Sequence, residues 1–319
     1  MAANNIGRNA GCQGFVLDKT GEQELLFSIA AVEREVGLSK DVLRVWERRY
    51  GFPSPERDAR GERAYPAGQV QRLALIKRLM DRGHRPGRLL QAPVEELRTL
   101  AGGGVTGREA PPSGTTPGAI DGLMRLVRGH DARGLGEALQ RRLVEEGLQK
   151  FVLDTVASMA VQVGEEWSRG ELRIHEEHLF TEVVTRVLRQ AIAQLPAGQA
   201  PVVLLTTLPD EPHGLGLLMV ECMLALQGAR CISLGTQMPI LEIARAAQAH
   251  EVDAVALSFS AAFPARLGPQ LVRQLRTALE PGVQLWAGGA GAGQLARVEG
   301  VRVTGELANV ASVIAAAPT

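Results

Sequence analysis

The sequence predicts a multidomain chain in which a small helical head precedes a four-helix bundle and an α/β domain with a parallel sheet. Three observations carry this prediction. Apolar residues recur with helical spacing until about residue 195, and from Pro201 short apolar runs alternate with helical segments. Residues 102–118, rich in Gly, Pro, Ser and Thr, form the expected linker between the head and the rest. The charge also differs on the two sides of this linker.

The overall composition is that of an ordinary globular protein. The 319 residues include 35 Lys or Arg and 35 Asp or Glu, and 45% of the residues are hydrophobic. No apolar run approaches the ~20 residues that a membrane-spanning helix needs, so no membrane partner is expected. The first residues lack the apolar region of a signal peptide, and three scattered cysteines argue against a disulfide framework. These features predict a cytoplasmic protein.

The zero net charge hides a basic head on an acidic body. Residues 27–100 contain 15 Lys or Arg and 10 Asp or Glu, which gives a net charge of +5. Residues 119–319 have a net charge of −4. Because phosphate contacts dominate DNA affinity, the head is the part expected to bind nucleic acid.

The head is predicted to span residues 25–101, after a flexible arm over residues 1–24. Its first helix is expected to end at Gly37, and Ser39 is placed to cap a second helix. Arg44 and Arg48 are four residues apart and so share one face of that helix. A turn-rich wing follows. The candidate DNA-binding residues are Ser39, Arg44, Trp46, Arg48, Arg49, Arg57, Arg63 and Tyr65.

The segment from Trp46 to Gly51, with Arg63-Ala64-Tyr65 and the helix that follows, resembles the winged helix-turn-helix of the MerR family. This variant is similar to the branch of that family that carries a cobalamin domain. The resemblance implies that double-stranded operator DNA is the partner. The i, i+4 spacing of Trp46 and Tyr50 also favours packing of both rings in the core of the head.

The bundle is predicted over residues 119–198, with helix breaks at Gly129–His130, Gly147 and Gly170. Trp167 lies near the end of its third helix. Glu177 and His178 follow after nine residues, near the start of the fourth helix. By themselves these three residues are a weak signal for a binding site.

The last part, residues 199–319, is predicted to be a Rossmann-like, flavodoxin-like domain with five parallel strands. The loop after its first strand contains His213, and ligands of such sheets bind at the carboxyl ends of the strands. Glu211, two residues earlier, could hold one imidazole nitrogen while the other meets a metal ion.

Three motifs in this domain resemble a cobalamin-binding pattern. Glu211-x-His213-x-x-Gly216 is followed after 41 residues by Ser258-x-Ser260, and after 27 more by Gly288-Gly289. The Trp-x9-Glu-His spacing of the bundle resembles CarH/LitR-type adenosylcobalamin photoreceptors. The resemblance implies that His213 is the lower axial cobalt ligand. It also implies a cofactor site formed by Trp167, Glu177, His178, Glu211, His213, Gly216, Ser258, Ser260, Gly288 and Gly289.

The resemblance further implies a repressor that binds operator DNA as a dimer-to-tetramer homo-oligomer in the dark and leaves it on illumination. Two positions depart from the family. Ser168 replaces a histidine that follows the Trp in the photoreceptors, and Ser260 replaces a leucine. Alternatives therefore stay open: a light-independent regulator sensing cobalamin or haem, methylcobalamin in place of the adenosyl form, and a corrinoid carrier or enzyme. The basic head argues against the last, and no catalytic residue is predicted.

Overall fold

The computed structural model describes residues 12–17, 23–58, 60–81, 84–102 and 117–310. Most of the predicted linker, residues 103–116, lies outside the described residues. So do residues 311–319, where the apolar spacing predicts most of a closing helix near residues 310–316. The chain divides into two compact units. One holds the head, and the other holds the bundle together with the α/β domain.

The described part of the head contains five helices and a small antiparallel sheet. The helices are α1 (Ile29–Val36), α2 (Lys40–Tyr50), α3 (Ala67–Asp81), α4 (Pro86–Gln91) and α5 (Val94–Gly102). Helices α1 and α2 form the predicted helix-turn-helix. Ser28 and Ser39 cap them, each with a side-chain oxygen that accepts a backbone N–H of the first turn. Gly37 ends α1 in the left-handed conformation, with φ of 72°.

The sheet of the head has the order β1-β2-β4-β3. Its strands are β1 (Cys12–Leu17), β2 (Gln23–Ser28), β3 (Glu56–Arg57) and β4 (Arg63–Pro66). Strands β3 and β4 form the wing. The prediction of a flexible arm over residues 1–24 is wrong for β1, which pairs with β2. Main-chain hydrogen bonds to a neighbouring strand hold β1, and such pairing requires no hydrophobic periodicity in the sequence.

The bundle has the four predicted helical segments. They are α6 (Pro117–Arg128), α7 (Ala132–Glu146), a third segment in three parts, and α10 (Ile174–Ala193). The third segment consists of α8 (Leu148–Lys150), a π-helical stretch (Phe151–Val156) and α9 (Ala157–Arg169). Gly147 and Gly170, both with φ of 74°, lie at the ends of α7 and α9. The predicted helix breaks are therefore confirmed.

The α/β domain has a fully parallel sheet with the strand order β6-β5-β7-β8-β9. The strands are β5 (Val202–Thr206), β6 (Arg230–Ser233), β7 (Ala254–Ser258), β8 (Gln284–Gly288) and β9 (Val301–Val303). The crossover helices are α11 (Leu215–Leu226), α12 (Ile240–Ala249) and α13 (Gly268–Ala278). This is the predicted flavodoxin-like order, and it brings the ends of β5 and β7 together.

The bundle and one face of the sheet share a hydrophobic core. A single cluster of buried side chains includes Val184 of α10, Leu218 of α11 and Val203 of β5. Helix α10 packs directly on α11. Within the described residues, no helix is long and apolar enough to cross a membrane. The bundle and the sheet therefore stabilise one another through buried apolar area.

The loop after β8 lies against the loop after β7. Phe259 donates its backbone N–H to Gly288 O at 2.9 Å, and Gly291 donates to Phe259 O at 3.0 Å. A Cβ on Gly289, whose φ is 91°, would lie 2.4 Å from Phe259 O. The chain needs glycine here because a side chain would collide with the backbone of the neighbouring loop.

Gly289→Ala tests this close approach. We expect the substitution to lower the free energy of unfolding by about 1–3 kcal/mol, because it combines a collision with a left-handed backbone. Gly293→Ala is the control, since a Cβ there meets nothing within 4 Å. The control should change stability by less than about 0.5 kcal/mol. Urea denaturation of both variants measures the difference, and equal stabilities would contradict the packing described here.

Candidate functional site

Three arginines of α2 point into solvent. Arg44, Arg48 and Arg49 are exposed. Arg44 lies 3.4 Å from Asp41, but both side chains are largely exposed, so this ion pair contributes little. Ser39, the cap of α2, is also exposed. The second helix thus presents guanidinium groups on a solvent face, as a phosphate-binding helix requires.

The wing is fastened to α2 by an ion pair. Arg63 Nε donates to Glu47 Oε2 at 2.7 Å, and this hydrogen bond raises the pKa of Arg63. Arg57, at the exposed edge of the wing, donates to Gly61 O. Arg63 therefore positions the wing, while a contact of either arginine with DNA stays a prediction. This role of Glu47 was not predicted from the sequence, although a carboxylate among several arginines was an available signal for an ion pair.

Two of the predicted DNA contacts are wrong. Trp46 is only 5% exposed and Tyr65 is 0% exposed, and both belong to the hydrophobic core of the head. Burial raises the pKa of Tyr65 to about 12. Trp46 lies on the inner face of α2, and Tyr65 on β4 is buried in the same core, so neither ring is presented to solvent. The alternative of core packing for Trp46 is confirmed, and Tyr50 is half-buried against the same core.

The loop after β5 holds His213 through a buried carboxylate. Glu211 is 0% exposed, and its Oε1 lies 2.6 Å from His213 Nδ1. The same oxygen accepts the backbone N–H of His213 at 3.1 Å, and Oε2 accepts the backbone N–H of Ser260 at 2.7 Å. The His213 side chain is 53% exposed. This is the arrangement that the spacing of Glu211 and His213 predicts.

The charges of this pair favour hydrogen bonding through Nδ1. Burial opposes ionisation of Glu211, but hydrogen bonds from His213 and the backbone of Ser260 lower the pKa of Glu211 overall. The hydrogen bond to Glu211 raises the pKa of His213. An ionised carboxylate only accepts hydrogen bonds, so Nδ1 carries the proton. In the neutral ring, Nε2 then keeps the lone pair that a metal ion requires.

The bundle contributes a charge to the same site. Glu177 on α10 also raises the pKa of His213, so its carboxylate acts on this imidazole. Glu177 accepts the hydroxyl of Thr181 at 2.9 Å and lies 2.5 Å from Nδ1 of the exposed His178. Trp167, on α9, is half-buried against the shared core. Glu177 is the weakest of the influences that raise the pKa of His213, after the hydrogen bond and the charge of Glu211.

Of the remaining predicted residues, Gly216 lies in the first turn of α11, and the others lie at the carboxyl ends of β7 and β8. Ser258 is 8% exposed, and a Cβ on Gly216 would lie 2.6 Å from its Oγ. A Cβ on Gly288 would lie 2.7 Å from Thr304 Oγ1. A side chain at Gly216 or Gly288 would therefore force a neighbouring hydroxyl to move, and the contact of either glycine with a cofactor stays a prediction.

One residue that the sequence analysis missed fixes the His213 loop. Thr207, buried and just beyond β5, donates its hydroxyl to Glu211 O at 2.6 Å and accepts the backbone N–H of Gln237 at 2.8 Å. It therefore ties the His213 loop to the loop after β6. Its position after a buried strand was a signal for a loop-positioning residue.

Family models match three parts of the chain. Residues 27–89 match a MerR HTH family regulatory protein. Residues 119–192 and residues 201–311 each match a B12 binding domain. The first match covers the helix-turn-helix and wing, the second covers the bundle, and the third covers the sheet that carries His213.

Two curated proteins of Myxococcus xanthus are similar along most of their length. The chain is 30% identical over 272 residues to the HTH-type transcriptional repressor CarH, covering 84% of this chain and 90% of CarH. It is 28% identical over 234 residues to the HTH-type transcriptional repressor CarA, covering 72% of this chain and 75% of CarA. Among solved structures, a monomethylamine corrinoid protein of Methanosarcina barkeri shares the fold. The superposition covers 62% of this chain and 98% of the corrinoid protein, with a TM-score of 0.51 and 16% sequence identity.

A MerR-type head joined to B12-binding domains defines a cobalamin-binding transcriptional regulator, and not an enzyme. The chain belongs to the family of CarH, a MerR-type transcriptional repressor. The predicted family and fold class are confirmed. The B12-binding models favour cobalamin over the haem alternative.

The correction of Tyr65 makes a direct prediction for DNA binding. Its hydroxyl is buried without a hydrogen-bond partner among the described residues. We expect Tyr65→Phe to leave DNA affinity unchanged and to stabilise the head by about 1 kcal/mol, because the substitution removes an unsatisfied hydroxyl. Arg48→Ala should instead weaken DNA binding. It should also reduce by about 1 the magnitude of the slope of the logarithm of the binding constant against the logarithm of salt concentration.

Electrophoretic mobility shifts at several salt concentrations measure both variants on the same DNA. Lower affinity of Tyr65→Phe with unchanged thermal stability would restore Tyr65 as a DNA contact. An unchanged salt slope for Arg48→Ala would remove that arginine from the interface.

Proposed function

We propose that this protein is a light-released repressor that binds operator DNA as an oligomer stabilised by adenosylcobalamin. The observation that carries the proposal is the hydrogen-bonded pair of the buried Glu211 and His213. A carboxylate on Nδ1 prepares Nε2 as the lower axial ligand of cobalt. The family membership supports repression of transcription as the outcome.

The residues that would hold the cofactor come from both parts of the second unit. His213 would ligate cobalt, with Glu211 fixing its ring and Thr207 fixing the loop. Gly216, Ser258, Ser260, Gly288 and Gly289 would accommodate the nucleotide tail at the ends of β5, β7 and β8. Trp167, Glu177 and His178 would line the opposite, adenosyl side. When bound, adenosylcobalamin supplies a cobalt–carbon bond that light can break.

Assembly would convert weak single contacts into firm DNA binding. A single head carries a net charge of only +5 over residues 27–100. Two or more heads held together bind with an effective concentration that can raise affinity by roughly 10²–10⁴. Dissociation of the oligomer would therefore release DNA without any change in the base contacts of an individual head.

A second candidate function is a cobalamin-sensing regulator that does not respond to light. Ser168 favours it, because a serine stands where the photoreceptors have a histidine beside the Trp. In this alternative, binding and loss of cobalamin would set the oligomeric state directly.

His213→Ala tests the cofactor site. We expect affinity for adenosylcobalamin to fall at least about tenfold. Loss of a residue that only orients a metal ligand typically costs about 10–100-fold in affinity, and loss of the ligand itself should cost at least as much. The visible spectrum of the bound cofactor should also lose its imidazole-ligated form. His250→Ala, an exposed histidine just after α12, is the control and should bind like the unchanged chain. Equal retention of cobalamin by both variants after desalting would contradict the assignment.

Illumination separates the two candidate functions. The adenosylcobalamin-loaded chain should elute as an oligomer in the dark and shift operator DNA, and green light should lower its apparent mass and release the DNA. Size-exclusion chromatography and mobility shifts measure the two effects, with methylcobalamin as a parallel sample. An oligomer that survives light but disappears without cobalamin would support the light-independent regulator.

A further inference from the structure

A second cluster of potential metal ligands lies in the bundle, apart from His213. His130 is in the turn between α6 and α7, and His175 and Glu176 are in the first turn of α10. One ligand atom from each residue lies within 4.8 Å of the other two. We propose that His130, His175 and Glu176 form a site for a first-row divalent metal ion, with Zn²⁺ as the best match.

The geometry requires only a small closure. His130 Nε2 is 4.0 Å from Glu176 Oε1, and the two imidazole centroids are 5.0 Å apart with their planes 35° from one another. Tetrahedral Zn²⁺ with bonds of 2.0–2.1 Å places its ligand atoms about 3.3 Å apart. Both histidines are exposed, so rotation about their side-chain bonds can close this gap without moving the backbone.

The buried carboxylate of Glu176 fixes one side of the site. Its side chain is 10% exposed, and its Oε2 accepts the backbone N–H of Arg173 at 2.6 Å. Its Oε1 faces His130. A carboxylate removed from water is stabilised by a cation beside it; Arg128 acts on Glu176 through its charge but makes its hydrogen bond to Glu166. A divalent ion held with the two imidazoles would supply positive charge to Glu176.

The backbone at His130 is one that glycine adopts more readily. Its φ is 57°, in the left-handed region. The conformation of the turn therefore does not explain why a histidine is present at position 130. Its imidazole lies beside the imidazole of His175 and the carboxylate of Glu176. This also provides a useful variant, because His130→Gly removes the ligand and suits the backbone.

The donor set selects the kind of ion. Two imidazole nitrogens and one carboxylate oxygen suit Zn²⁺ and its first-row neighbours, whereas Mg²⁺ and Ca²⁺ prefer oxygen ligands. Three protein ligands leave a fourth position for water. The bound ion would join the α6–α7 turn to the first turn of α10. Glu177 is the next residue along that helix, so the ion would restrain the turn that precedes the Glu177–His178 pair.

Zinc binding to the full, untagged chain tests the proposal. Isothermal titration with Zn²⁺ should give one site per chain, and Zn²⁺ should raise the melting temperature. His130→Gly and Glu176→Gln should each lower the affinity at least about tenfold, because both remove a direct ligand. A glutamine at position 176 can still accept the backbone N–H of Arg173, so the Glu176→Gln variant should keep its fold, which circular dichroism can verify. His250→Ala is the control and should bind Zn²⁺ unchanged.

Two results would overturn the site. The first is that Zn²⁺, Ni²⁺ and Co²⁺ give neither heat nor a shift in melting temperature with the unchanged chain. The second is that His130→Gly and Glu176→Gln bind Zn²⁺ as tightly as His250→Ala. Neither result depends on cobalamin, so the metal site and the proposed repressor function stand or fall separately.

Discussion

The buried carboxylate of Glu211 is the interaction on which the candidate cofactor site depends. It is 0% exposed and accepts three N–H groups, two from His213 and one from Ser260. A buried carboxylate without these hydrogen bonds would be strongly destabilising. The His213 ring and the Ser260 backbone are therefore held in the positions from which they donate to Glu211. Glu211 therefore fixes the imidazole and also joins the loop after β5 to the loop after β7. The histidine is positioned by the fold before any cofactor binds.

The constraint extends from Glu211 across the end of the sheet. Ser260, which donates to Glu211, follows Phe259, whose backbone pairs with Gly288 and Gly291. A Cβ on Gly291 would lie 2.3 Å from Ser260 O. The glycine motif after β8 is thus explained by contacts within the protein, although the same lack of side chains also leaves space for a ligand. A glycine motif alone is for this reason weaker support for a cofactor than a histidine held by a buried carboxylate.

The sequence predicted those features that depend on local pattern. Apolar runs and their spacing gave the five parallel strands and the four bundle helices, and Ser39 and Gly37 marked helix ends. Features that depend on tertiary contact were missed. Strand β1 is held by pairing with β2, and Arg63 is held by Glu47, sixteen residues away. Burial of Tyr65 follows from packing of the wing on the head, which no spacing within the wing reveals.

The charge distribution separates the basic head from the bundle and α/β domain, which together form the sensor under the proposed function. The bundle and α/β domain have a net charge of −4, so they add no electrostatic attraction to DNA. Electrostatic attraction to DNA is therefore expected to come from the heads, each with a net charge of +5 over residues 27–100. Under the proposed function, the sensor acts by determining how many heads are held together. Trp167 and α10 both pack against the core that the bundle shares with the sheet. A cofactor bound between Glu177 and His213 would therefore stabilise one arrangement of that unit, and oligomerisation would be the means by which this difference reaches the DNA.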